Sequence, residues 1–137
     1  MKYIGVESKI PKEVYRIMKS VRRWVLSVNS GNSTFACQIA ADTLKEKLHK
    51  AGIENAKVIF GRFANGIPAY PNARHKIPGE WHCWVLLNGY ILDVTADQFN
   101  SDLDGVYMRT IVYGTPKQLR KIYITMPAWR KRLEGAA

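Results

Sequence analysis

The chain has 137 residues, 47% of them apolar and 23% charged, with a formal net charge of +10. This length has room for one domain with a modest core, read here as residues 1–137, and the composition is that of a folded globular protein. No apolar run is long enough to cross a membrane, and two cysteines, Cys37 and Cys83, are too few for a disulfide framework.

The opening stretch MKYIGVESKIPKEV has no uninterrupted apolar segment or small-residue cleavage site. With so few cysteines, this gives the expectation of a reducing compartment, the cytoplasm, where thiols stay free for chemistry. The charge is unevenly placed. Lys12, Arg16, Lys19 and Arg23 recur at helical spacing as one basic stripe. Lys117, Arg120, Lys121, Arg130, Lys131 and Arg132 form a second basic cluster, whereas no Lys or Arg lies between Ile77 and Met108. A basic surface fits an acidic partner such as nucleic acid, and equally fits a solvated helix face.

In chain order, Ile10–Val28 reads as an amphipathic helix. Val14, Ile17, Met18, Val21, Trp24, Val25 and Val28 fall on one face, and Pro11 suits a first helical position. Asn29–Ser33 is turn chemistry, with Asn32 or Ser33 available to cap the next helix. That helix is expected from about Thr34 to Ala51, with Cys37, Ala40, Ala41, Leu44 and Leu48 on its apolar face and Gly52 as its stop. Lys57–Phe63 is a strand candidate. Ala64–Gly79, with three prolines, is a loop bordering a functional cleft. Trp81–Leu87 and Tyr90–Ala96 flank Asn88-Gly89, the preferred pair for a type I′ hairpin turn. Val106–Tyr113 reads as a further strand, Thr115–Gln118 as a capping box opening a short helix, and Pro127 as the start of a last one. The order α-α-β-β-β-β-α gives an α+β domain with N-terminal helices packed against an antiparallel sheet.

Two of these elements carry chemistry. Cys37 falls in the first turn of its helix, where unpaired amides and a partial positive charge favour a thiolate and can also stabilise an oxyanion. With a two-residue turn, Leu87 faces Tyr90, Trp84 faces Asp93 and His82 faces Thr95. His82, Trp84, Asp93 and Thr95 then share one face. Their register makes His82 and Asp93 diagonal neighbours with Cα atoms roughly 7–8 Å apart, within reach of an imidazole and a carboxylate. The carboxylate would orient the ring and leave its other nitrogen to take a thiol proton. On this reading Cys83 points away from the triad. Each residue also has an ordinary structural role open to it: a small core residue for Cys37, a satisfied core histidine for His82, a strand-end charge for Asp93.

The order Cys37, His82, Asp93 resembles the papain-like superfamily, including transglutaminase-like and bacterial deamidase-type members. GNSTFACQIAADTL is similar to its nucleophile helix, and EWHCWVLLNGYILDVTADQF to its His-strand, turn, Asp-strand unit. The resemblance implies a thiol hydrolase of the cysteine protease or amidase type, acting on a protein or peptide substrate through a thioester. Acyl transfer or deamidation on the same triad is the alternative. The sequence departs from papain in having no glutamine just before the cysteine and Asp as third member. Gln98 is therefore a candidate oxyanion donor or a local cap, and Trp84 a candidate cleft wall.

No C-x-x-C, H-E-x-x-H, P-loop or G-x-G-x-x-G spacing is present, so neither a metal nor a nucleotide cofactor is expected. The competing reading is a non-enzymatic nucleic-acid-binding domain that uses the basic helix face, with binding that falls steeply with salt. A further expectation is that the acid-rich stretch carrying His82 and Asp93 makes a mouth that prefers neutral or cationic groups.

Overall fold

The computed structural model describes residues 2–31, 36–63, 80–102, 106–120 and 122–126. Among them the chain forms β1 (Lys2–Val6), α1 (Lys12–Val28), α2 (Cys37–Lys50), β2 (Lys57–Phe63), β3 (Glu80–Leu87) and β4 (Tyr90–Asp93). A 3-10 stretch (Ala96–Asp102), β5 (Val106–Gly114) and β6 (Tyr123–Thr125) follow. The α+β class holds, in one six-stranded sheet ordered β1-β5-β4-β3-β2-β6.

Two features depart from the expected antiparallel sheet behind N-terminal helices. A strand precedes the helices, and β1 pairs with β5 in parallel, which makes the sheet mixed. Among the described side chains of β1 only Ile4 is fully buried, between exposed Tyr3 and Val6, so the segment carries no apolar alternation that would mark it as a strand. At its far end the Thr115 capping box forms both reciprocal bonds, Thr115 N–H to Gln118 Oε1 at 2.9 Å and Gln118 N–H to Thr115 Oγ1 at 3.2 Å. It closes only a turn: Arg120 takes a positive φ of 58° and the chain enters β6. The helix expected from Pro127 lies outside the described residues, as does the Ala64–Gly79 loop.

Helix α1 packs the face its periodicity marks. Val14, Met18, Val21 and Val25 are buried, each contributing about 1.5–3 kcal/mol of transfer free energy. Pro11 sits one position earlier than expected, at the N-cap. Helix α2 buries Ala40, Ala41, Leu44 and Leu48 against Cys83, Val85 and Leu87 of β3. Its C-terminus ends as the sequence indicates, with Ile53 N–H bonded to Leu48 O and Gly52 N–H to His49 O. Its start is later than expected. The N-cap is Ala36, so no Asn or Ser side chain from the preceding turn occupies that position.

The hairpin turn is the predicted one, with positive φ at both Asn88 (51°) and Gly89 (84°). Its register pairs Leu87 with Tyr90 and Val85 with Leu92. A second core lies on the other face of the sheet, built from Ile4, Phe63, Trp84, Phe99, Met108, Val112 and Tyr123 among others. Trp84 fills it where β2 carries Gly61, whose Cβ position is already occupied by the Ile124 carbonyl and the Trp84 ring. Gly61→Ala is therefore expected to cost about 1–3 kcal/mol by overpacking, read as a lower urea midpoint with unchanged slope.

Candidate active site

The site is built where β4 stops. Pairing between β3 and β4 ends at Val85 and Leu92, so Trp84–Asp93 and His82–Thr95 are not ladder pairs as the full-length hairpin would have them. The cause is Asp93 itself. Its Oδ1 accepts the Thr95 backbone N–H at 3.0 Å and the Thr95 hydroxyl at 3.3 Å, a local turn that competes with continued pairing. The shared face nevertheless forms. His82 Nε2 lies 2.5 Å from Asp93 Oδ2, with both side chains essentially inaccessible to water. The carboxylate thus fixes the ring with Nε2–H as donor.

Asp93 is fully engaged. Beyond His82 and Thr95 it accepts the Tyr123 hydroxyl at 2.8 Å, donated from the middle of the second core. Burial pushes its carboxyl up, but the charge and hydrogen bond of His82, with the Thr95 amide and the Tyr123 hydroxyl, hold it below the ordinary carboxylate value. Burial alone would push the His82 imidazole down. The Asp93 charge and hydrogen bond, with a smaller contribution from Cys37, raise it instead to about 9. His82 Nδ1 is buried and, among the described residues, has no hydrogen bond of ordinary geometry.

Cys37 is the group placed to use that nitrogen. It is the first residue of α2, half-buried, and packs against the cluster that holds Cys83. Burial pushes its thiol up, but hydrogen bonding and charge from His82, together with the Cys83 backbone and side chain, bring it below the ordinary thiol value. Cys37 comes from the helix side of the sheet and His82 from the opposite face. The two interact, and His82 lies on the stretch of β3 that has no ladder pairs with β4. Cys83 shares the helix side with Cys37 and interacts with it, so it does not face away from the candidate site. Its burial and the nearby Cys37 thiolate push its own thiol up to about 12.

Two further sequence candidates have structural positions. The Gln98 side-chain amide donates to the Thr95 carbonyl at 3.0 Å, as a local cap does. Trp84 is buried in the second core beside Tyr123, not on a cleft wall. Asp97 is paired bidentately with Arg22 of α1 at 2.5 and 2.8 Å, and Arg22 also donates to the Val94 carbonyl at 2.9 Å. This clamp holds the segment after Asp93 against α1, and it neutralises an acid counted toward an acidic mouth. Arg22, Tyr123 and the Cys37–Cys83 contact were not legible in the sequence. No spacing links position 123 to position 93, or position 22 to 97.

Removing the Tyr123 hydroxyl leaves Asp93 with more charge for His82. Tyr123→Phe should therefore cost about 1.5–3 kcal/mol of stability and move the alkaline limit of His82 titration upward. Following the imidazole by NMR against pH checks the direction.

The stripe residues Lys12, Arg16, Lys19 and Arg23 are all exposed on α1, away from its buried face. Among the described residues no three His, Cys, Asp or Glu side chains gather as a metal site, and no helix is long and apolar enough to cross a membrane. Comparison with family models, curated proteins and solved structures finds no match.

Proposed function

We propose that this chain is a thiol enzyme with a papain-like or transglutaminase-like core. Cys37, His82 and Asp93 attack an amide or ester carbonyl, most simply as a cysteine hydrolase of protein or peptide substrates. One observation carries the reading: a buried His82–Asp93 pair whose other ring nitrogen, Nδ1, has among the described residues the lowered Cys37 thiol at a helix start as its acidic neighbour. A histidine with only a structural role would have both nitrogens satisfied.

In the proposed reaction the Cys37 thiolate adds to the carbonyl carbon. The resulting oxyanion is received by first-turn amides of α2, which Ala36 has no side-chain oxygen to cap. His82 gives its Nδ1 proton to the leaving amine or alcohol, and a thioester to Cys37 remains. A water then attacks, His82 takes its proton, and the thiolate leaves as the acid forms. An amine in place of that water gives acyl transfer, and a glutamine side chain as donor gives deamidation, on the same machinery. Asp93 stays ionised throughout and stabilises the imidazolium.

The test is trapping. Brief exposure to p-nitrophenyl acetate followed by acid quench should leave one acetyl group on Cys37, absent in His82→Ala. Acetylation confined to lysines would overturn the proposal. A second surface role is favoured by the exposed α1 stripe: recruitment to an acidic partner such as nucleic acid. It predicts binding lost steeply with salt, and ester turnover untouched when Lys12, Arg16, Lys19 and Arg23 are changed to Glu.

A further inference from the structure

Next to Cys37 the sheet carries an aromatic surface that the described helices do not cover. Phe60 pairs across the ladder with Cys83, and Arg62 with Trp81. Paired residues of an antiparallel ladder project to the same side, so Phe60, Arg62, Trp81 and Cys83 share the face on which α2 lies. Along that face of β3, Cys83, Val85 and Leu87 are buried under the helices. Among the described residues the cover stops where α2 begins, at Cys37, and the next positions outward are 52% exposed at Phe60 and 58% at Trp81.

These two rings forgo burial worth about 1.5–3 kcal/mol for each large apolar side chain. The Trp81 ring is also braced, with the Arg62 guanidinium 4.0 Å over its face. A braced tryptophan and an adjacent phenylalanine make a preorganised apolar platform of the kind that anchors ligands at low entropic cost. Their continuity with the thiol decides what occupies them. A group resting there belongs to the molecule whose carbonyl is at Cys37 Sγ.

Resting on the reading of Cys37 as nucleophile, we propose that Phe60 and Trp81 are specificity residues that seat a bulky apolar or aromatic group beside the carbonyl under attack. The expected substrates are acyl compounds carrying such a group, in preference to small or charged ones.

The experiment compares two alkylating probes, iodoacetamide and its N-phenyl derivative, each rate on Cys37 divided by that probe's rate on glutathione. The phenyl probe should gain about tenfold over iodoacetamide, equivalent to about 1.4 kcal/mol of ring binding. Trp81→Ala and Phe60→Ala should each bring that ratio toward unity. Tyr107→Ala, at an exposed ring on the distant β5 strand, should keep it. Labelling of Cys37 with no preference for the phenyl probe overturns this inference alone, as does a preference that survives both platform variants. Failure of iodoacetamide to label Cys37 at all removes the proposed function and this inference with it.

Discussion

Asp93→Ala is expected to lower turnover by about 10³–10⁴-fold and stability by about 3–5 kcal/mol. Both effects have one origin. Among the described residues the carboxylate is the only group bonded to His82 Nε2, and it also takes the Thr95 and Tyr123 donors, so its loss strands an imidazole, an amide and two hydroxyls in a dry site. Asp93→Asn separates the two effects. It keeps the volume and one acceptor, which should recover part of the stability, but it removes the charge that makes an imidazolium favourable there. Turnover should therefore stay low. Asp97→Ala is the control: it breaks the Arg22 clamp and costs some stability, but Arg22 keeps the Val94 carbonyl and the site keeps its charge. Its kcat should stay within a few-fold of the parent. Equal, mild effects of Asp93 and Asp97 replacement on kcat would remove Asp93 from the mechanism.

The second large effect is on pH. His82 is raised from an ordinary 6.5 to about 9, so the folded protein holds its proton more tightly than the unfolded chain does. That stabilisation is fully present below about pH 6.5 and is lost as pH rises through about 9. For a fully buried group it is on the order of 3 kcal/mol. Cys37 runs the other way, with its thiol lowered by His82. The thiolate–imidazolium pair therefore exists between the Cys37 value and about 9, and activity should fall on both sides of that window. At the acid end Asp93, whose depressed carboxyl stabilises only while ionised, adds a further loss as pH drops through its folded value. Urea midpoints at about pH 6 and about pH 10, with the pH profile of kcat/KM, check both signs. A midpoint that does not fall at the alkaline end would mean that His82 is neutral in the folded protein.

What the sequence could show was local. The Asn88-Gly89 pair specified the turn, the turn specified the register, and the register put His82 and Asp93 on one face. The turn chemistry of Asn29–Ser33 puts Cys37 in the first turn of its helix, even though the cap is Ala36 and not the polar residues before it. The parts that were not legible depend on contacts distant in sequence. The Tyr123 hydroxyl reaches Asp93 from a three-residue strand that has no pattern of its own, and Arg22 clamps the far side of the same turn. The length of β4 is not legible because Asp93 can either continue the ladder or fold back on Thr95, and propensity does not choose between them. The place of Cys83 is illegible for a related reason. Alternation correctly set it on the opposite face from His82, but that is the face from which Cys37 arrives.

On the proposed function, one of two neighbouring thiols is made a nucleophile by a histidine. Brief treatment of the native protein with iodoacetamide at neutral pH, followed by peptide mapping, tests it directly. One adduct is expected, on Cys37, because its thiol is lowered by His82, whereas the buried Cys83 is pushed up to about 12. His82→Ala should slow that labelling and Cys83→Ser should leave it nearly unchanged. Labelling of Cys83 first, or a Cys37 rate indifferent to the loss of His82, would contradict the triad.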